Sequence, residues 1–237
     1  MMDKTNFARR SIDIDGHAFG YAEAGSGDAL LCIDGRLGLR PSRAHALMAE
    51  QRRVIVLDHP AGGREPAHAL GGALTRMGIE RCDLMGHGSG CETALWLALE
   101  RPQNVGAIVL VAPTALGPRH ALSGDLKSAL FAHPERQPDL PSIRVPQQAD
   151  GDRALEDKMR ELKMPVLALF GTEDPLAPPE AADRYRAALA DCNLAFVYDA
   201  AHAIDIERPE AVAQWTLDFV ERRDLFLVSR ESGLTLP

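Results

Sequence analysis

Five short apolar runs constrain this chain more than anything else in it: Ala29-Leu30-Leu31-Cys32-Ile33, Val54-Ile55-Val56-Leu57, Val105 to Val111, Val166 to Phe170 and Leu194 to Tyr198. Each is shorter than a typical buried helix, and none alternates apolar with polar residues as a half-exposed strand does. A strand that is apolar on both sides is one covered on both faces. Between the runs the apolar spacing becomes helical, over Pro41 to Gln51, Pro66 to Met77, Ala94 to Leu99, Pro179 to Leu189 and Pro209 to Glu221. The Gly71-Gly72 pair weakens the second of these, while Val212, Trp215, Phe219 and Val220 mark one face of the last. Strands alternating with helices predict an α/β fold, a mostly parallel central sheet with helices on both faces. The 237 residues suit one such domain over 1–237. In such a sheet the functional groups gather at the carboxyl ends of the strands.

Two stretches depart from the alternation. Ser11 to Ala24 alternates around Gly16-His17, the pattern of an antiparallel hairpin. Thr114 to Lys163 is polar and crowds Pro134, Pro138, Pro141 and Pro146 together. This segment is expected to be an insertion, a cap over the pocket at about 115–162, with short helices over Gly124 to Phe131 and Arg153 to Leu162. Deleting 115–160 is expected to spare the core.

The residues with most to say about chemistry are Gly86-His87-Gly88-Ser89-Gly90. They follow an apolar-ended strand, Ile79 to Met85, and precede the buried helix that starts near Ala94. Clustered glycines at a strand-to-helix turn allow a strained backbone. The stretch resembles the Gly-x-Ser-x-Gly pattern in which a central serine serves as nucleophile, and here the centre is Gly88. Ser89 comes one position late. Sliding the pattern to make it central requires glycines at 87 and 91, where the chain has His87 and Cys91. Ser89 is therefore expected to cap the helix, and Cys91 to be a small packed helix residue.

Composition excludes several classes. With 46% apolar and 25% charged residues the chain is an ordinary globular protein. Its net charge of −8 and lack of a basic run oppose nucleic-acid and anionic-membrane partners. The start, Met1-Met2-Asp3-Lys4-Thr5, lacks the apolar core of a signal peptide. No apolar run approaches the roughly 18–20 residues that span a bilayer. Cys32, Cys82, Cys91 and Cys192 are scattered, without the close pairs of zinc or redox sites. A cytoplasmic location, no metal and no cofactor are the expectations. Leu225-Phe226-Leu227-Val228 either pairs with an edge or meets a second subunit, as a homodimer would.

Two further loops follow predicted strands: Phe170-Gly171-Thr172-Glu173-Asp174-Pro175-Leu176-Ala177-Pro178-Pro179-Glu180 and Ala200-Ala201-His202-Ala203-Ile204-Asp205-Ile206-Glu207-Arg208-Pro209-Glu210. With the glycine turn they stand in the order nucleophile, acid, histidine, and in this the sequence resembles the α/β-hydrolase superfamily over nearly its whole length. The resemblance implies that fold, with Asp174 as the acid and His202 as the base. It also places Arg36 and Ser89 as the residues whose backbone N–H groups face an oxyanion. Two departures cluster together. The nucleophile position is Gly88, and the family's usual His-Gly before the oxyanion donor is Asp34-Gly35. The Arg36 side chain either reaches into the pocket, pairs with Asp34, or faces solvent. His87 matches a residue common beside the nucleophile and is expected to be structural. Asp58, His59 and Asp199 are expected to be loop residues without metal-ligand spacing.

Three functions remain open. One is a small-molecule enzyme in which Asp174 orients His202 as a base, with hydrolase-like, lyase-like or cofactor-free oxygenase-like chemistry. Another is a non-catalytic protein that keeps the pocket for a ligand or partner. The third is a serine hydrolase whose nucleophile has moved to Ser89.

Overall fold

A computed structural model describes residues 6–14, 17–34, 40–58, 63–116, 126–136 and 152–226. Eight strands form one sheet: β1 (Ala8–Ile14), β2 (His17–Ala24), β3 (Ala29–Ile33), β4 (Arg53–Asp58), β5 (Cys82–His87), β6 (Val105–Val111), β7 (Val166–Gly171) and β8 (Cys192–Val197). Their spatial order is β1-β2-β4-β3-β5-β6-β7-β8. The hairpin pairs antiparallel and joins β4 antiparallel, while β4-β3-β5-β6-β7-β8 are parallel. The mostly parallel α/β sheet expected from the alternation is the one found.

The apolar runs explain why the sheet is buried on both sides. Leu31, Ile33, Ile55, Leu57, Ile108 and Leu110 face one core, under helices α2 (Arg64–Arg76), α3 (Gly90–Glu100) and α6 (Ala182–Ala188). Their neighbours Leu30, Cys32, Val54, Val56, Val109 and Val111 face the other, under α1 (Arg43–Ala49) and α8 (Pro209–Arg222). This two-residue period means that every position of a central strand buries its side chain, each such aliphatic group contributing roughly 1.5–3 kcal/mol.

Several boundaries differ from the sequence reading. The strand expected over Ile79 to Met85 runs from Cys82 to His87, directly into the glycine turn, and the helix begins at Gly90. The segment at Pro179 starts as a single 3₁₀ turn, Pro179–Ala181, before α6. Within the insertion the described parts are α4 (Leu126–Leu130), the turn Pro134–Arg136, and α5 (Arg153–Lys158). Leu155, Met159 and Leu162 pack into the same core as β6 and β7. The Trp96 indole donates to Asp152 Oδ2 at 2.7 Å. The last part of the insertion is thus built into the core, because its apolar residues recur at helical spacing and find α3. At the other end of the chain Phe226 packs on Trp215 and Phe219 of its own α8. The remainder of the tail lies outside the described residues.

Candidate active site

β5 ends at His87, and Gly88 turns the chain into α3 with φ +55°. The Gly88 N–H donates to Val111 O at 2.9 Å, which ties the turn to the end of β6. The flanking glycines are required by close approach. A Cβ at Gly86 would lie 2.6 Å from Cys91 Cα, and one at Gly90 would collide with the Ile33 carbonyl. At Gly88 the situation differs. Among the described residues a Cβ there would meet only the imidazole of His202, with Nε2 at 3.1 Å.

The imidazole side of the site comes from two neighbouring strands. β7 ends at Gly171, and the following turn carries Asp174. Its Oδ1 accepts from the N–H groups of Leu176 at 2.7 Å and Ala177 at 2.9 Å. Its Oδ2 lies 2.9 Å from His202 Nδ1, on the loop after β8. Both side chains are buried. Burial pushes the Asp174 carboxyl up, but the His202 charge and hydrogen bond, with the two backbone N–H groups, outweigh it and leave the carboxyl below its ordinary value. An ionised carboxylate only accepts. His202 Nδ1 therefore carries the hydrogen of this bond, and Nε2 is turned toward Gly88.

A second buried pair stands behind the first. His87 Nε2 lies 3.5 Å from Asp205 Oδ1, and its ring meets the His202 ring edge-to-face at 5.4 Å. Asp205 sits on the four-residue helix α7 (Ile204–Glu207), which begins two residues after His202. Asp34, at the end of β3, is also buried. After burial itself, Asp34 and then Asp205 push the Cys32 thiol up, so both carboxylates act on the floor of the site. The loop after β8 is strapped down by Glu207, which accepts from Ala201 N–H at 2.8 Å and from His133 N–H at 3.1 Å. Ala203 N–H donates to Leu130 O at 2.8 Å, and Leu130 and Phe131 pack on Leu176 and Ala203. One side of α4 therefore rests on both the acid loop and the histidine loop.

The structure brings Gly88, His202, Asp174, His87 and Asp34 to the carboxyl ends of β3, β5, β7 and β8. Ser89 occupies the N-cap position of α3, yet its hydroxyl makes no capping hydrogen bond, contrary to the capping role expected from sequence. Cys91 is buried, with Sγ 3.2 Å from Gly86 O. Asp199 has φ +54° and pairs with Arg208 and His133. Arg36 and His59 lie outside the described residues. Sequence reasoning did not single out Asp205 or Glu207. Their one signal was spacing, three and five residues after His202 in a stretch that turns out helical. Among the described residues no three His, Cys, Asp or Glu side chains cluster to hold a metal ion, and no helix is long and apolar enough to cross a membrane.

No protein-family model matches the sequence. Curated relatives include a 2-hydroxy-6-oxo-6-phenylhexa-2,4-dienoate hydrolase of Comamonas testosteroni, 28% identical over 127 residues. That alignment covers 46% of this chain and 44% of the relative, so the chain spans less than half of that protein's length. An uncharacterized hydrolase of Bacillus subtilis, YugF, is 22% identical over 245 aligned positions, 81% of this chain and 89% of the relative. Among solved structures, the naproxen esterase (carboxylesterase NP) of Bacillus subtilis superposes with a TM-score of 0.76 at 16% identity, covering 91% of this chain and 92% of that one.

Proposed function

We propose that this chain, which has the α/β-hydrolase fold, is a small-molecule hydrolase that uses His202 as a general base on water, without a covalent serine intermediate. The observation that carries the reading is the aim of His202. Its Nε2 stands 3.1 Å from the point where a side chain at position 88 would begin, and that position has none. A missing CH2OH group leaves room comparable to a water's share of the liquid, ~30 Å³. A water there takes the place of a serine hydroxyl.

The steps follow from the residues. Asp174 holds the imidazole in the tautomer that leaves Nε2 basic. Nε2 accepts a proton from the water as its oxygen adds to an acyl carbon. The developing oxyanion faces the first turn of α3, where the Ser89 N–H and the helix dipole favour negative charge. Collapse breaks the bond to the leaving group, which takes the proton back from Nε2 and departs with the acid as the second product.

Support comes from the buried Asp174–His202 pair, from a relative named as a hydrolase and from a structural neighbour that is an esterase. The test is pre-steady-state kinetics with p-nitrophenyl acetate. Wild-type protein is expected to turn over linearly with no burst, take no fluorophosphonate label, and lose its rate in His202→Gln. Turnover no greater than that of His202→Gln would leave a ligand-binding protein. A burst with labelling at Ser89 would mean that the nucleophile had moved.

A further inference from the structure

At the opposite end of the sheet, where β3 and β5 begin, Asp28, Arg52, Arg81, Cys82, Asp83 and Arg223 line a cavity of about 400 Å³. It lies the length of β5 from Gly88, roughly 20 Å at the rise of a strand, and shares no residue with the site above.

Three irregularities of the backbone converge on this cavity. β5 and β6 lose their register between Cys82 and Leu84. Gly106 of β6 sits beside that break, and a Cβ there would fall 2.5 Å from Asp83 Oδ1 and collide with Arg223 Nη1. A glycine within a strand marks a close approach, and here the approaching group is a guanidinium. Arg223 itself, the C-cap of α8, takes φ +50°, a conformation that non-glycine residues enter only at a steric cost.

The charges do not close on themselves. Arg52 Nη2 donates to Asp83 Oδ2 at 2.5 Å, and Arg223 Nη2 lies 3.3 Å from Asp83 Oδ1. Two guanidinium groups thus share one buried carboxylate. Among the described residues the buried Arg52 Nε has no acceptor, and Asp83 Oδ1 receives no hydrogen bond. Arg81 is exposed at the rim and forms no ion pair among the described residues. Asp28, 85% exposed, stands 3.9 Å from Arg52. Three arginines against two aspartates leave one net positive charge, in a chain whose net charge is −8.

We propose that this cavity binds a small phosphate monoester, with Arg52, Arg81 and Arg223 around its phosphate. Three guanidinium groups arriving from three segments offer more N–H donors than the two oxygens of a carboxylate accept, and suit the three terminal oxygens of a phosphate. The volume is at the low end of small-molecule sites, roughly 300–1,000 Å³, and exceeds the need of a bare phosphate ion.

Calorimetric titration and thermal melts with inorganic phosphate and with glycerol phosphate test this, against sodium chloride at matched ionic strength. Saturable binding with a rise in Tm is expected for both phosphates and not for chloride. Arg81→Gln should leave the ligand-free Tm unchanged, because Arg81 is exposed and forms no described ion pair, and should weaken phosphate binding roughly tenfold or more. A phosphate effect matched by chloride overturns the proposal, as does equal phosphate affinity in Arg81→Gln. Either result leaves the guanidinium groups as a clamp that holds the end of α8 on the sheet.

Discussion

Gly88→Ser is the most informative single change, because the geometry fixes both its cost and its gain. At φ +55° a non-glycine residue is strained by about 1–3 kcal/mol. The added Cβ would lie 3.1 Å from His202 Nε2, so the imidazole must also give by a few tenths of an ångström. For a chain of 237 residues each kcal/mol shifts Tm by roughly 2–4 °C, so the variant should melt roughly 2–12 °C lower. In return the hydroxyl arrives next to a base already oriented by Asp174. The variant should give a stoichiometric burst with p-nitrophenyl acetate and take a fluorophosphonate label at position 88, and His202→Ala added to it should abolish both. A variant that melts within that window yet neither bursts nor labels would refute the reasoning. The oxyanion donors or the approach to them would then be absent.

Asp174 predicts a pH dependence. Its folded pKa lies below the ordinary 3.8, so its contribution to stability is full above about pH 4 and is lost as pH falls through the depressed folded value. In urea titrations the advantage of wild type over Asp174→Asn should shrink as the pH is lowered below about 4, and an advantage that grows there would contradict the assignment. Burial is the largest reason that the Cys82 and Cys192 thiols are pushed up to about 12. Iodoacetamide at pH 8 should therefore spare both in the native protein and modify both in guanidinium, as mass spectrometry would read. Glu207→Gln puts an amide where a carboxylate accepts from Ala201 and His133. One N–H left unmatched costs about 1–3 kcal/mol, so Tm should fall by roughly 2–12 °C and His202-dependent turnover should slow. Unchanged Tm and turnover would mean that the strap does not form.

The sheet was legible because its strands bury both faces, so Leu30 and Leu31 belong to opposite cores and yet both read as apolar. The acid and histidine loops were legible for a different reason: each follows a recognisable strand, and their order along the chain matches their convergence in space. The Asp205–His87 pair was not legible, since it joins residues 118 positions apart and depends on a four-residue helix too short to have a periodicity. Nor was the Arg52–Asp83–Arg223 cluster, which rests on a register break that no local pattern signals. The insertion misled because Leu155, Met159 and Leu162 are sparse among polar residues, although their helical spacing suffices to dock them on α3.

The glycine turn by itself says little about function. Gly86 and Gly90 are demanded by the backbone of Cys91 and the carbonyl of Ile33, so any chain with this strand-to-helix crossing needs them whether or not it is a catalyst. The Asp174–His202 pair is different in kind. Replacing such a buried pair with well-packed apolar groups is often neutral or stabilising by about 1–4 kcal/mol, so packing gives no reason for it. The two N–H groups of Leu176 and Ala177 explain Oδ1 of Asp174, since a loop that turns there needs an acceptor. They do not explain Oδ2, which is spent on an imidazole, or the direction of that imidazole. His202 Nε2 is pointed at position 88, where a Cβ would meet that imidazole and no other group within 4 Å among the described residues. An imidazole held by a buried carboxylate, with its Nε2 turned toward position 88, is the arrangement on which the proposed proton transfer rests.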